Sequence, residues 1–213
     1  SLVLVLGQVD DDASIRFGLP PGSYVRGNED LLRAVRQRFP ESWLVYKPHP
    51  DVAAGLRASK LKPTIKSALW DECNSEASLQ SLFNQVDRVC TLTSLGGFEA
   101  LIHGVPVSTW GLPFYAGWGL TDDALEAHPW IQERRRRRLD LETLIHGALV
   151  HYPIYISARS GRRCSIDTVL DEINATAHAE AQSMTLEQQV FRWWGAAVSL
   201  RRAVFQGRDQ AAS

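Results

Sequence analysis

In the stretch YKPHPD, Tyr46 to Asp51, a single histidine stands between two prolines. Pro50 suits the first position of a helix, where a missing N–H costs nothing, and Pro48 stiffens the approach. His49 then sits at a helix start, where it can donate to a phosphate and help it leave, while Lys47 adds positive charge. A stiff turn with an incidental histidine accounts for the same residues. A metal site is the weaker reading, because no second histidine lies at ligand spacing.

TLTSLGGFEALIHG, from Thr91, is the most informative stretch. A strand ends, Gly96 and Gly97 let the backbone approach a ligand, and a helix begins at once. Free N–H groups and the helix dipole make an anion site there, with hydroxyls from Thr93 and Ser94. Glu99, about one turn into the helix, can hold a ribose hydroxyl pair. A Gly-rich turn whose carboxylate only favours the dipole is the competing reading. No Gly-Lys-Ser/Thr follows, so this is not a Walker A loop.

GQVDDDAS, after the first apolar run, has three consecutive carboxylates. Asp12, two residues before Ser14, can act as base or as nucleophile toward an anomeric carbon. A solvated acidic loop or a helix cap is the simpler reading for any one of these aspartates. Gln8 opens the same loop and joins Ser14 among the candidate ligand contacts. WGLPFYAGWGLTDD brings Trp110, Phe114, Tyr115 and Trp118, which read either as stacking surfaces for a sugar or base or as a small core that pins the loop. The run Arg134 to Arg138 reads as a solvated turn or as a contact for anionic lipid headgroups.

All of these loops follow apolar runs. Leu2 to Leu6 has the continuous Val/Leu character of a strand buried on both faces of a parallel sheet. Leu31, Leu32, Val35 and Phe39 recur at helical spacing, with Asn28 as N-cap. SWLVYK is a second strand, ASLQSLFNQV a helix, DRVCTL a strand, GFEALIHG a helix that stops at Gly104, and VPVSTW a further strand. The order β-α-β-α-α-β-α-β implies an α/β fold with a parallel sheet and helices on both faces. Ligands on such sheets bind beyond the carboxyl ends of the strands, so the four loops are expected to converge on one crevice. Further on, Ile166 to Ala179 and the segment MTLEQQVFRWWGAAVSLRRAVF read as helices.

The chain of 213 residues is long enough for one well-buried core, and its formal net charge of −1 gives no field that attracts nucleic acid. The longest apolar runs fall short of the ~18 residues that mark a membrane span. Cys73, Cys90 and Cys164 are far apart and odd in number, which fits a reducing compartment and points to the cytoplasm. The strand-like opening without an initiator methionine predicts a domain of a longer protein.

Together, GQVDDDASIRFG, VYKPHPDV, TLTSLGGFEALIHGVPVSTWGLPFYAGWGLTDD and RRRRRLDLETLIHGALVHYP closely resemble the capsule polysaccharide biosynthesis KpsC-type family, over about Leu2 to Tyr155. The resemblance implies a retaining β-Kdo glycosyltransferase of the GT-B fold, two Rossmann-type domains across a cleft. It implies CMP-β-Kdo as donor, with no required metal and no cofactor, and a Kdo-bearing lipid acceptor at the cytoplasmic face of the inner membrane. On the matching positions, Asp12 is the nucleophile of a double displacement, and His49 and Ser94 face the CMP phosphate. Glu99 holds the ribose. Gln8, Ser14, Lys47, Pro50, Thr93, Gly96, Gly97, Tyr115 and Trp118 complete the expected substrate contacts. Residues 1–160 are then the Rossmann-like, donor-binding half. Residues 161–213 are helices that pack back on the sheet or toward an acceptor-side domain ahead of Leu2. A nucleotide-sugar-binding scaffold without catalysis and a GT-B enzyme of other chemistry, such as a UDP-sugar epimerase, are the alternatives.

Overall fold

The computed structural model describes residues 1–56 and 69–183, with the backbone alone for 177–183. The apolar segment expected to pack back, from Met184 onward, lies outside the described residues.

Among the described residues, six strands form one sheet in the order β3-β2-β1-β4-β5-β6. They are β1 (Leu2–Leu6), β2 (Trp43–Lys47), β3 (Glu72–Cys73), β4 (Arg88–Thr91), β5 (Val107–Thr109) and β6 (Asp122–Asp123). Every neighbouring pair is parallel. The chain steps outward from β1 to β3, then returns to lay β4 on the other side of β1. That reversal puts a topological switch point between the carboxyl ends of β1 and β4. The fold is the Rossmann-like half expected from the sequence.

Strand β1 is central and apolar on both faces, with Val3 to Leu6 all buried. Val3 and Val5 join Leu31, Leu32 and Val35 of helix α2 (Asn28–Arg38) in one core cluster. Glu29 and Asp30 in the first turn of α2, and Arg36 and Arg38 in the last, suit its dipole. Its N-cap is Gly27 rather than Asn28. The Asn28 side chain is buried and exchanges hydrogen bonds with the Gln8 backbone at 2.8 and 2.7 Å, which ties α2 to the end of β1. Three other helices serve the loops. They are α1 (Ala13–Gly18), α3 (Pro50–Ala53) and α4 (Leu79–Phe83). Helix α5 (Leu95–Ile102) ends at Gly104, whose φ of 75° is the left-handed turn a helix stop favours.

Up to Arg135, four of the described elements go beyond the expected order. Helix α1 lies in what reads as a polar loop. Strands β3 and β6 have two residues each, Glu-Cys and Asp-Asp, and exist because a neighbouring strand offers its edge. Helix α6 (Pro129–Arg135) takes in the start of the arginine run.

The chain divides into two compact units, Ser1–His146 and a second from Gly147. Helix α7 (Leu141–Ile145) closes the first, and a π-helical stretch, His146–His151, follows. The second unit has an antiparallel hairpin, β7 (Tyr155–Ile156) and β8 (Arg163–Cys164), and helix α8 (Ile166–Ser183). Glu172 of α8 accepts from the Ser157 hydroxyl at 2.5 Å and from the Ala158 N–H at 2.8 Å.

Candidate functional site

The loops at the carboxyl ends of β2, β1, β4 and β5 are stitched to one another along one rim. The Gly7 N–H donates to the Lys47 carbonyl at 2.8 Å, joining the β1 and β2 loops. Buried Gln8 crosses the switch point. Its Nε2 donates to Ser14 Oγ at 3.1 Å and to Thr93 Oγ1 at 3.0 Å, and its Oε1 accepts from the Thr93 N–H at 2.9 Å. Ser14 and Thr93 meet directly, Oγ to Oγ1, at 3.2 Å. The Leu112 N–H donates to the Gly18 carbonyl at 2.8 Å, tying the β5 loop to the end of α1. Side chains at Gly18 or Gly111 would each strike Thr93 Cγ2, so these three segments cross only because two of them lack a Cβ.

This stitching brings two helix starts together. Asp12 is the N-cap of α1, with Oδ1 accepting the Ser14 N–H at 2.8 Å. Among the described residues its second oxygen has no partner. Ser94 is the N-cap of α5, with Oγ accepting the Gly96 N–H at 3.2 Å. Asp12 is two residues from Ser14, and Ser94 is next to Thr93, so the Ser14–Thr93 contact links the two capped turns.

His49 caps α3, with Pro50 in the first turn as the spacing predicts. Its Nδ1 accepts the Asp51 N–H at 3.2 Å. A neutral His49 therefore carries its proton on Nε2, the nitrogen that can donate to an anion. Glu99 is half-buried on α5.

Several expected ligand contacts have structural occupations. Gln8 and Thr93 are buried and spend their groups on the latch. Lys47 is also buried, and Nζ donates to the Ala77 and Ser75 carbonyls at 2.6 and 3.4 Å. Desolvation pulls its pKa below the ordinary lysine value. Gly96 and Gly97 are expected to admit a ligand, but their bare Cα atoms face inward. A Cβ on Gly96 would lie 2.8 Å from Leu6 Cδ1, and one on Gly97 would overlap the Tyr115 phenol.

Tyr115 has no exposed surface for stacking. It donates to the Ser94 carbonyl at 2.5 Å, and burial pushes its pKa well above the usual phenol value. Trp118 is half-buried, donates to the Phe114 carbonyl at 2.7 Å and lies under the Arg134 guanidinium at 5.6 Å. The β5 loop thus has its own small core, with Phe98, Phe114 and Tyr115 packed ring to ring.

Two residues that hold this loop lie outside the expected contacts. Buried Asp123 accepts from Thr121 Oγ1, Thr109 Oγ1 and the Gly117 N–H at 2.6, 3.1 and 3.1 Å. Arg134 donates to the Pro113 and Ala116 carbonyls at 2.8 and 3.0 Å, and desolvation lowers its pKa. The arginine run is therefore not uniformly solvated. Arg134 pins the aromatic loop and Arg135 pairs with Glu126 at 3.3 Å, while Arg136 to Arg138 are exposed. The pairing of Asp123 with Thr121, two residues before it, was the available signal. Nothing in the run itself distinguishes Arg134.

Among the described residues no helix is long and apolar enough to cross a membrane.

Residues 1–155 match the family described as capsule polysaccharide biosynthesis protein. The capsule polysaccharide modification protein LipA of Neisseria meningitidis serogroup B is 45% identical over 168 residues, 79% of this chain and 23% of LipA. The lipopolysaccharide-processing protein LpsZ of Rhizobium meliloti is 40% identical over 78% of this chain and 36% of LpsZ. The chain thus spans about a quarter to a third of these relatives. Among solved structures, the β-Kdo 2,7 transferase of Thermosulfurimonas dismutans KpsC superposes with a TM-score of 0.71 at 41% identity, covering 83% of this chain and 55% of that one. The β-Kdo 2,4 transferase of the same KpsC gives a TM-score of 0.65 at 31% identity, over 81% and 51%.

Proposed function

The chain belongs to the capsule polysaccharide biosynthesis family, and from that premise we propose that it is the donor-binding half of a retaining β-Kdo transferase. The donor is CMP-Kdo and the acceptor is a Kdo-bearing lipid. The product is the poly-Kdo linker of a capsular polysaccharide, made at the cytoplasmic face of the inner membrane. An acceptor-side domain of the same parent protein completes the cleft.

The observation that carries this reading is the Ser14–Thr93 contact at 3.2 Å, which joins the Asp12 cap to the Ser94 cap at the switch point. A sugar nucleotide spanning that point meets a carboxylate on one side and hydroxyl and N–H donors on the other. Asp12 attacks the anomeric carbon with a carboxylate oxygen. The bond from that carbon to the phosphate oxygen breaks, and CMP leaves with the electron pair. His49 Nε2–H and the Ser94 hydroxyl stabilise the departing phosphate, and Glu99 holds the ribose. The acceptor hydroxyl then opens the aspartyl adduct and loses its proton to a base. Two inversions give net retention. Because the donors are fixed before the substrate arrives, little reorganisation accompanies the charge shift.

The test is Kdo transfer by the intact parent protein. Asp12→Ala is expected to lower turnover by at least about 10³-fold while CMP still binds. Intact-mass measurement after mixing wild type with CMP-Kdo, without acceptor, is expected to show one added Kdo that Asp12→Ala lacks. Undiminished transfer in the variant removes Asp12 from the mechanism. A parent that binds CMP but never turns over is a scaffold.

A further inference from the structure

Tyr24, Ala34, Gln37, Arg38 and Trp110 line a pocket of about 240 Å³. It is built on the later turns of α2 and on the α2-facing side of Trp110, not on the loop tips that carry Asp12, His49 and Ser94. Trp110 is 2% exposed. Among the described residues its indole N–H has no acceptor, yet no sealed side-chain nitrogen or oxygen lacks a partner. The N–H must therefore lie on the sliver of Trp110 that solvent reaches. The Gln37 amide likewise engages no described residue.

Arg38 is paired beside them. One terminal nitrogen donates to both Asp122 oxygens, at 2.9 and 2.8 Å, and its guanidinium lies 5.9 Å from the Trp110 ring centre. Arg88 reaches the same carboxylate at 3.7 Å. Two guanidiniums share one carboxylate, which leaves a surplus positive charge. The pocket thus presents the Gln37 amide and the Arg38 guanidinium N–H groups, the exposed Tyr24 ring as an apolar wall, and a net attraction for one negative charge. Its volume is below the ~300–1,000 Å³ of pockets for drug-sized ligands, which limits the occupant to about one ring. A ring rich in acceptors, with an apolar face for Tyr24 and a single anionic group, is a carboxylated sugar.

We propose that this pocket is a second sugar site, separate from the donor rim, that holds one carboxylated unit of the polymer under construction. The identity of the sugar rests on the transferase reading. A hold apart from the donor rim keeps the product near the enzyme between additions, as a second linked contact raises effective concentration.

The experiment is a nuclear magnetic resonance titration of the ¹⁵N-labelled chain with free Kdo, with acetate and with CMP. Free Kdo is expected to shift the Trp110 indole N–H saturably, to do so equally when CMP is saturating, and to bind about tenfold more weakly to Gln37→Ala. Gln37 is on the exposed face of α2, so that variant keeps the fold; Trp110→Phe serves to assign the signal. No saturable shift with Kdo, an equal shift with acetate, or displacement by CMP overturns the proposal. The Ser94 and Gly97 amides report CMP in the same spectra. A silent rim with a responsive Trp110 therefore counts against the donor reading, and the reverse counts against the pocket.

Discussion

Among the described residues, the two units of this chain are held by different contacts. The unit Ser1–His146 buries both faces of β1 and closes a core around Val3, Val5, Leu31, Leu32 and Val35. In the unit from Gly147, Ser157 is the one buried residue among those described, while Tyr152, Ile154, Ile156, Leu170 and Ile173 are exposed. The first is organised by the removal of apolar area from water, at ~1.5–3 kcal/mol for each large side chain. Among the described residues of the second, Glu172 accepts hydrogen bonds that tie α8 to the end of the hairpin. The candidate site belongs to the first, and the difference explains why. Donors and caps can be fixed in advance only on elements that cannot move.

The contrast can be broken most severely at Leu32, which is 0% exposed. Leu32→Ala is expected to cost ~2–5 kcal/mol in urea unfolding of the first unit, because the cavity adds to the lost transfer energy. A milder break is Gly97→Ala. The new methyl meets the Tyr115 ring and Thr91, so the ring must shift and loosen its bond to Ser94, at ~1–3 kcal/mol. Calorimetry with CMP is expected to show weaker binding by that variant.

Acid sharpens the comparison. Hydrogen bonds from Ser157 and the Ala158 N–H depress the pKa of Glu172 below its ordinary 4.5. Its contribution is complete above the unfolded value and fades as pH falls through the folded one. Hydrogen exchange in α8 and the hairpin is therefore expected to quicken below about pH 4.5, with the β1 amides still protected. Unchanged α8 protection in acid would mean that Glu172 is not its staple. The smallest effect belongs to Ile173→Ser. An apolar side chain that is 57% exposed is expected to change stability by less than ~0.5 kcal/mol in thermal unfolding.

Much of the first unit was legible because burial writes itself into the sequence. The apolar runs ending at Leu6, Lys47, Thr91 and Thr109 gave the four rim strands, and the 3.6-residue spacing of Leu31, Leu32 and Val35 gave α2. The caps were legible through Pro50 and the Thr-Ser-Leu-Gly-Gly turn. The occupations of several candidate side chains were not. Lys47, Gln8 and Tyr115 have types that suit ligands, but each has a partner 21 or more residues away that no local pattern announces. Strand β6 was hidden for a related reason. Asp-Asp has no strand propensity, and its pairing with Ser108 and Thr109 is decided by the sheet edge. Asn28 looked like a cap because its type favours caps, whereas its burial beneath the Gln8 backbone uses the same amide differently.

The placement of β1 between β2 and β4 bears on how the chain is made. Its register partners begin at Trp43 on one side and Arg88 on the other, so neither contact is local. Closing such separations costs loop entropy before any pairing returns it, which slows folding. As the chain leaves the ribosome, β1 can pair with β2 early, but its second edge stays open until β4 has emerged. A translation pause before Arg88 would leave an apolar strand with unpaired N–H and C=O groups, and that nascent chain is the form most exposed to aggregation.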